Sequence, residues 1–155
     1  MTTAFTILAI DPGTLRHGWA LVQSTDRGRV TYVGSGHDDA ATVDDRIRTA
    51  GASLVAIERP AFIPAKAMAG QALLETAEWA GVFRGACIAG GVPVAMMTAA
   101  AWRLALCRTN HPSDATVKRA VSVFVDGLPK RTNCHERDAM GLAIVAAWNR
   151  TRKVA

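Results

Sequence analysis

Nothing in the 155 residues reads as a membrane span. No stretch of about 18 uninterrupted apolar residues occurs, and the most apolar windows are broken by Gly, Glu or Arg. The N-terminus has no basic segment followed by an apolar run and a cleavage site. Cysteine is scarce: Cys87, Cys107 and Cys134 form an odd set without repeated spacing. That argues against a disulfide framework and for a reducing compartment. These absences point to a cytoplasmic protein with no membrane partner. There is no internal repeat, low-complexity segment or Pro/Ser linker either, so one domain spanning 1–155 is expected.

What is present suits a folded, basic domain. Half of the residues are hydrophobic and 20% are charged, with no polar tract long enough to suggest disorder. The net charge is +5. A basic domain of this size commonly meets a polyanion. Arg150, Arg152 and Lys153 cluster near the C-terminus; they read first as a solvated end, second as phosphate contacts.

Hydrophobic patterning divides the chain into strands and helices. Phe5 to Asp11 is a short apolar run and reads as a buried strand. His17 to Ser24 follows through the Pro12-Gly13 turn, and Arg29 to Gly36 fits a third strand, completing an antiparallel meander. Val43, Ile47 and Ala50 have helical spacing within Asp38 to Ala52. "SLVAIE" (53–58) is a buried strand ended by Arg59-Pro60, Ala65 to Gly90 is helical, and Val92 to Met97 is a last strand. Thr98 and Ser113 are expected to cap the helices "TAAAWRLAL" and "SDATVKRAVSVFV". Residues 134–150 form the closing helix. The order predicts an α/β protein with a mixed five-stranded sheet and helices on both faces, which is the strand order of the ribonuclease H-like fold. A doubly wound nucleotide-binding fold would open β-α-β with a Gly-rich loop.

Three acids stand out. Asp11 ends the first strand, Glu58 ends the fourth, and Asp138 lies near the start of the last helix. In α/β sheets the strand ends open onto a ligand-binding crevice. Acids brought together there would repel unless a divalent cation joins them. Mg²⁺ takes carboxylate, water and phosphate oxygens, and two such ions can activate a water and stabilise a leaving oxygen. Each acid also has a plainer reading. Asp11 before Pro-Gly suits a turn residue bonded to the local backbone, and Asp138 suits an acid favoured by a helix dipole. Glu58 has the plainer reading of a solvated strand end, but an acid closing such a buried run is seldom only that. His135 sits three residues before Asp138, on the same helix face, and could ligate a metal or handle a proton. Asn133 and Glu136 match a capping box, which assigns Glu136 to capping.

These segments together resemble the RuvC-type Holliday junction resolvases. "ILAIDPGTLRHGWALV" is similar to that family's opening, "YVGSG" (32–36) to its third strand, "LVAIERPAF" to its second acidic motif, and "HERDAMGLAIVAAW" to its last helix. The likeness spans nearly the whole chain in the right order. "IERP" and the short tail look more like compact phage or mobile-element relatives. The resemblance implies a ribonuclease H-like fold, a homodimer, and Mg²⁺ (or Mn²⁺), two ions per site. It implies paired nicks in four-way DNA junctions during recombination and repair, and leaves open whether a branch-migration motor is a partner. It carries the catalytic and metal-binding positions onto Asp11, Glu58, His135 and Asp138. Phe62 stands where the family places an aromatic wedge, four residues after the second acid rather than three. Arg103, Arg108, Lys118 and Arg119 become candidate phosphate contacts, with solvated charge as their plainer reading.

Three other readings compete. "D-x-G-T-x-R-x-G" also opens the pre-ribosomal-RNA processing nucleases, ribonuclease H-like enzymes acting on RNA; those do not usually carry a Glu ending the fourth strand and a His-x-x-Asp helix. Actin-like ATPases and sugar kinases share Asp-x-Gly-Thr but need two lobes. Cys107, His111, Cys134 and His135 could compose a zinc-stapled nucleic-acid-binding module, although the adjacent Cys134-His135 pair is poor spacing for one ion.

Overall fold

The computed structural model describes residues 4–24, 28–61 and 70–154. Its elements run β1 (Phe5–Asp11), β2 (His17–Ser24), β3 (Val30–Asp38), α1 (Ala40–Thr49), β4 (Leu54–Arg59), α2 (Gly70–Ala89), β5 (Val94–Thr98), α3 (Ala99–Cys107), α4 (Asp114–Phe124), β6 (Val125–Asp126) and α5 (Cys134–Val154). The strands form one sheet in the order β5-β4-β1-β2-β3-β6. The opening meander is antiparallel, while β4, β5 and β6 pair parallel to their neighbours.

The sheet has six strands where five were expected. The helix beginning at Ser113 ends at Phe124, and Val125–Asp126 turn into a two-residue strand pairing with Val30–Thr31. Val125 is buried in the core, and a β-branched residue suits an extended backbone better than a helix end. Arg29 anchors the new strand by bonding the Asp126 carboxylate and the Val123 carbonyl. The expected helix caps are present. Thr98 accepts from the Ala101 N–H and Ser113 from the Thr116 N–H. Asn133 and Glu136 close a reciprocal box, with bonds of 2.9 and 2.7 Å. Strand β3 runs two residues past Gly36, and Asp39 caps α1.

Strand alternation splits the core in two. On one face, Ile7, Ala9, Ala20, Val22 and Ala56 pack under α3, α4 and α5. On the other, Leu8, Ile10, Trp19, Val55 and Ile57 pack against Val43 and Ile47 of α1 and Phe83 and Cys87 of α2. The three alanines on the first face let α5 lie close to β1 and β2. Two glycines extend that close approach. A Cβ on Gly18 would stand 2.5 Å from the His135 carbonyl oxygen. A Cβ on Gly141 would stand 2.6 Å from the indole of Trp102.

Candidate active site

The parallel register pairs Ile10 with Ile57, so Asp11 and Glu58 are the next residues on neighbouring strands. Both follow the alternation onto the α5 face. On the other side of β1, Asp11 pairs with Gly18, and Gly18 pairs with His37 of β3. A row therefore crosses four strands: Glu58, Asp11, Gly18, His37. The first turn of α5 settles over the gap at Gly18. There His135 Nδ1 meets Asp11 Oδ2 at 3.2 Å. One turn further on, Asp138 faces the same end of the sheet.

Helix α3 closes the site from the side. Trp102, fully buried, donates its indole N–H to Glu58 Oε2 at 2.7 Å. The neighbouring Arg103 donates to Asp138 Oδ2 at 2.9 Å. Asp11 and Asp138 side chains are only 13% and 20% exposed, which makes their charges costly. Burial and the nearby Asp11 carboxylate push Glu58 up to about 7; the Trp102 N–H and Arg103 oppose that rise. Burial also raises Asp138, with Arg103 pulling the other way. His135 is raised by its bond to Asp11 and by the surrounding acids.

These side chains suit a hard cation by chemistry. Three carboxylates and an imidazole share one opening, and their mutual repulsion is what a divalent charge relieves. They are not gathered into a ligand sphere, because Trp102 holds Glu58 and Arg103 holds Asp138. Among the described residues no group of three or more His, Cys, Asp or Glu side chains is close enough to hold an ion. That statement covers Cys107, His111, Cys134 and His135 as well. The side chain of Asp11 bonds His135 across the sheet rather than its own turn, where Gly13 N–H donates instead to His17 Nδ1.

The other predicted residues are spread more widely. Arg103 is a partner of Asp138, lies over Trp102, and leaves its Nε buried without a hydrogen bond. Arg108 is exposed at the C-terminus of α3, and Lys118 and Arg119 are exposed on α4. Phe62 lies outside the described residues. Sequence reasoning missed several contributors. Glu136 caps α5 but also accepts from Ser35 of β3 at 2.8 Å, tying the helix start to the sheet. Arg137 is buried and grips Asp114 with two bonds. Exposed Lys130 and Arg131 lie in the loop that delivers α5 to the site. Their place four and five residues ahead of His135 was the available signal. His37 carried no signal at all.

By sequence the chain matches no protein-family model and no curated protein. By structure it is similar to Thermus thermophilus RuvC in complex with Holliday junction substrate, with a TM-score of 0.80 at 18% identity. That match covers 97% of this chain and 98% of the other. The yeast mitochondrial Holliday junction resolvase Ydc2 matches at a TM-score of 0.60 and 10% identity, covering 96% of this chain and 80% of that one. The fowlpox virus Holliday junction resolvase matches at 0.58 and 13%, covering 94% and 99%. The class is thus a ribonuclease H-like α/β fold. Within that class, the chain shares the fold of the RuvC structure over 97% of its length.

Proposed function

We propose that this chain is a structure-selective endonuclease that resolves four-way DNA junctions by metal-dependent phosphodiester hydrolysis. The observation that carries the reading is the convergence of Asp11, Glu58, His135 and Asp138 at one end of a RuvC-like sheet. The solved relatives are themselves junction resolvases, one of them in complex with its junction.

Asp11, Glu58 and Asp138 would hold Mg²⁺ or Mn²⁺, two ions per site, with His135 beside them as the group that handles the proton. Bound there, the ions would activate water and stabilise the leaving oxygen of the scissile phosphate. The chain's own residues do the rest. Asp11 holds His135 through Nδ1, leaving Nε2 to take a proton from the attacking water or return one to the leaving oxygen. Water oxygen bonds to phosphorus, the opposite phosphorus–oxygen bond breaks, and the departing oxygen ends protonated. Trp102 keeps Glu58 oriented by its indole N–H. Arg103 is the cation beside the acids, held there by its bond to Asp138, and its partly exposed guanidinium adds positive charge where a phosphate would sit. Arg108, Lys118, Arg119, Lys130 and Arg131 supply further phosphate contacts, and Phe62 the junction wedge.

Two equivalent strands of a junction call for two sites in two-fold register. Helix α2 offers the surface for a second copy. Leu74, Val82 and Ile88 are 61%, 54% and 59% exposed, and Gly81 and Gly85 lie between them with open space around. Leu74, Gly81 and Ile88 recur at seven-residue spacing, the period of paired helices. A branch-migration motor would deliver junctions to this dimer.

Cleavage of four-way, three-way, flap and linear DNA, with Mg²⁺ and with chelator, tests the reading. The expected result is Mg²⁺-dependent paired nicking of the four-way junction, with binding that weakens as salt rises. Equal cutting of linear DNA, or sedimentation as a monomer both free and on the junction, would sink it.

A further inference from the structure

Two side-chain contacts tie strand β3 to the first turn of α5, a hydrogen bond and a ring stack. Ser35 bonds Glu136. Two residues on, His37 lies face to face with His135, ring centroids 4.4 Å apart and planes inclined by 18°. Offset or parallel stacking at such a distance is attractive and restricts both rings. On its other side His135 meets Asp11. Its imidazole is therefore clamped between a carboxylate at one nitrogen and an aromatic face.

We propose that His37 is a positioning residue: its stacked ring fixes the plane of His135, so that Nδ1 stays on Asp11 while Nε2 serves the reaction. The proposal rests on His135 having the catalytic role assigned above. Three features of the fold build the clamp. Gly18, opposite His37 in the β2–β3 register, contributes no side chain, and the His135 backbone occupies that space. Asp38, the next residue, accepts the Trp19 indole N–H at 2.7 Å on the opposite face of the sheet. Gly36, the residue before, leaves room for the same indole; a Cβ there would come within 2.6 Å of its nitrogen. Residues on either side of His37 are thus locked by Trp19, and strand alternation commits His37 to the α5 face.

The stack also says what His37 does not do. Ring nitrogens present their lone pairs in the ring plane. Two nearly parallel rings lying face to face cannot both aim a lone pair at one ion between them. His37 orients a group that reacts or binds; it does not share its ligand position.

The test compares wild type with His37→Ala and His37→Phe. Phenylalanine keeps a flat ring and loses both nitrogens. Imidazole resonances of His135 are identified in ¹H–¹⁵N spectra by their loss in His135→Gln. In wild type and His37→Phe they should show the upfield displacement of a stacked ring, and in His37→Ala they should lose it. Single-turnover junction cleavage should slow roughly three- to tenfold in His37→Ala, with junction affinity unchanged and the melting temperature lowered by no more than a few degrees. His37→Phe should recover most of that rate. A wild-type rate in His37→Ala, or a His37→Phe rate no better than Ala, overturns the proposal. So does a loss of rate matched by an equal loss of junction affinity. If the wild-type protein cuts no DNA while the spectra behave as expected, the stack stands and the resolvase reading fails.

Discussion

The two faces of the sheet are built for different purposes. Beneath α5 the strands present Ala9, Ala20, Ala56 and Gly18, and the helix comes close enough to set His135 against Asp11. Beneath α1 and α2 they present Leu8, Ile10, Trp19, Val55 and Ile57, a bulky apolar layer whose acid, Asp38 at the strand end, is bonded to the Trp19 indole. The same strands supply both sets through alternation. Small residues are spent where a polar group must be placed to within tenths of an ångström, and large ones where burial alone is needed. The helices differ in a matching way. Helix α5 is buried through its middle from Ala139 to Ala147, while α2 leaves apolar side chains in solvent. One face is closed around the acids, and the other keeps an exposed apolar strip.

The strongest way to break this contrast is on the α5 face. Asp11→Asn removes the carboxylate proposed to bind metal and the anchor of His135 together. Cleavage should fall by about 10²–10⁴-fold or more, with junction binding retained. Equal loss of binding in a folded variant would make Asp11 structural.

A pair of identical substitutions then sets one face against the other. Gly18→Ala places a methyl 2.5 Å from the His135 carbonyl, and backbone cannot step aside as a side chain can. It should cost about 1–3 kcal/mol of stability and most of the activity, because the clamp around His135 opens. Gly85→Ala on α2 meets nothing within 4 Å. It should stabilise the subunit by about 0.5–1 kcal/mol through helix propensity while weakening the proposed dimer. Denaturant melts of both variants, with sedimentation of the second, check the pair. Similar destabilisation by both would erase the distinction between faces.

The acids predict a pH dependence of intermediate size. Glu58 is raised from its ordinary 4.5 to about 7, and Asp138 and His135 are also raised. A group with a raised pKa favours the folded state most when protonated. For Glu58 that contribution is complete below pH about 4.5 and lost as pH rises through about 7. Metal-free protein should therefore lose part of its melting temperature between pH 5 and pH 8, and Glu58→Gln should flatten the slope. Mg²⁺ should restore stability at the upper end, since binding requires the deprotonated carboxylates.

The smallest effect concerns the helix start. Asn133→Ala removes the acceptor for the Glu136 N–H and should cost about 1 kcal/mol. Cleavage should change little, because Glu136 still holds Ser35 and keeps α5 seated on β3.

Much of the frame could be read from local pattern. β1 and β2 match the bounds read from their apolar runs, and both helix caps and the capping box follow from residue type and spacing. The acids Asp11 and Glu58 were legible because each ends a buried strand, and His135 with Asp138 because three-residue spacing shares a helix face. β6 was not legible, since two residues carry no periodicity and Val125 continues an apolar stretch that also suits a helix. Nor were the partners of the acids. Arg103 reads as a surface cation until α3 lands beside α5, and Trp102 as core until its N–H reaches Glu58, 44 residues away. His37 gives no sign of its position, because nothing local distinguishes a strand-end histidine from one stacked 98 residues away. Residue type and period are properties of the chain and determine which element forms and which face it buries. Which two side chains meet across elements depends on register and on where small residues leave room, and only the folded sheet, with its gap at Gly18, decides that.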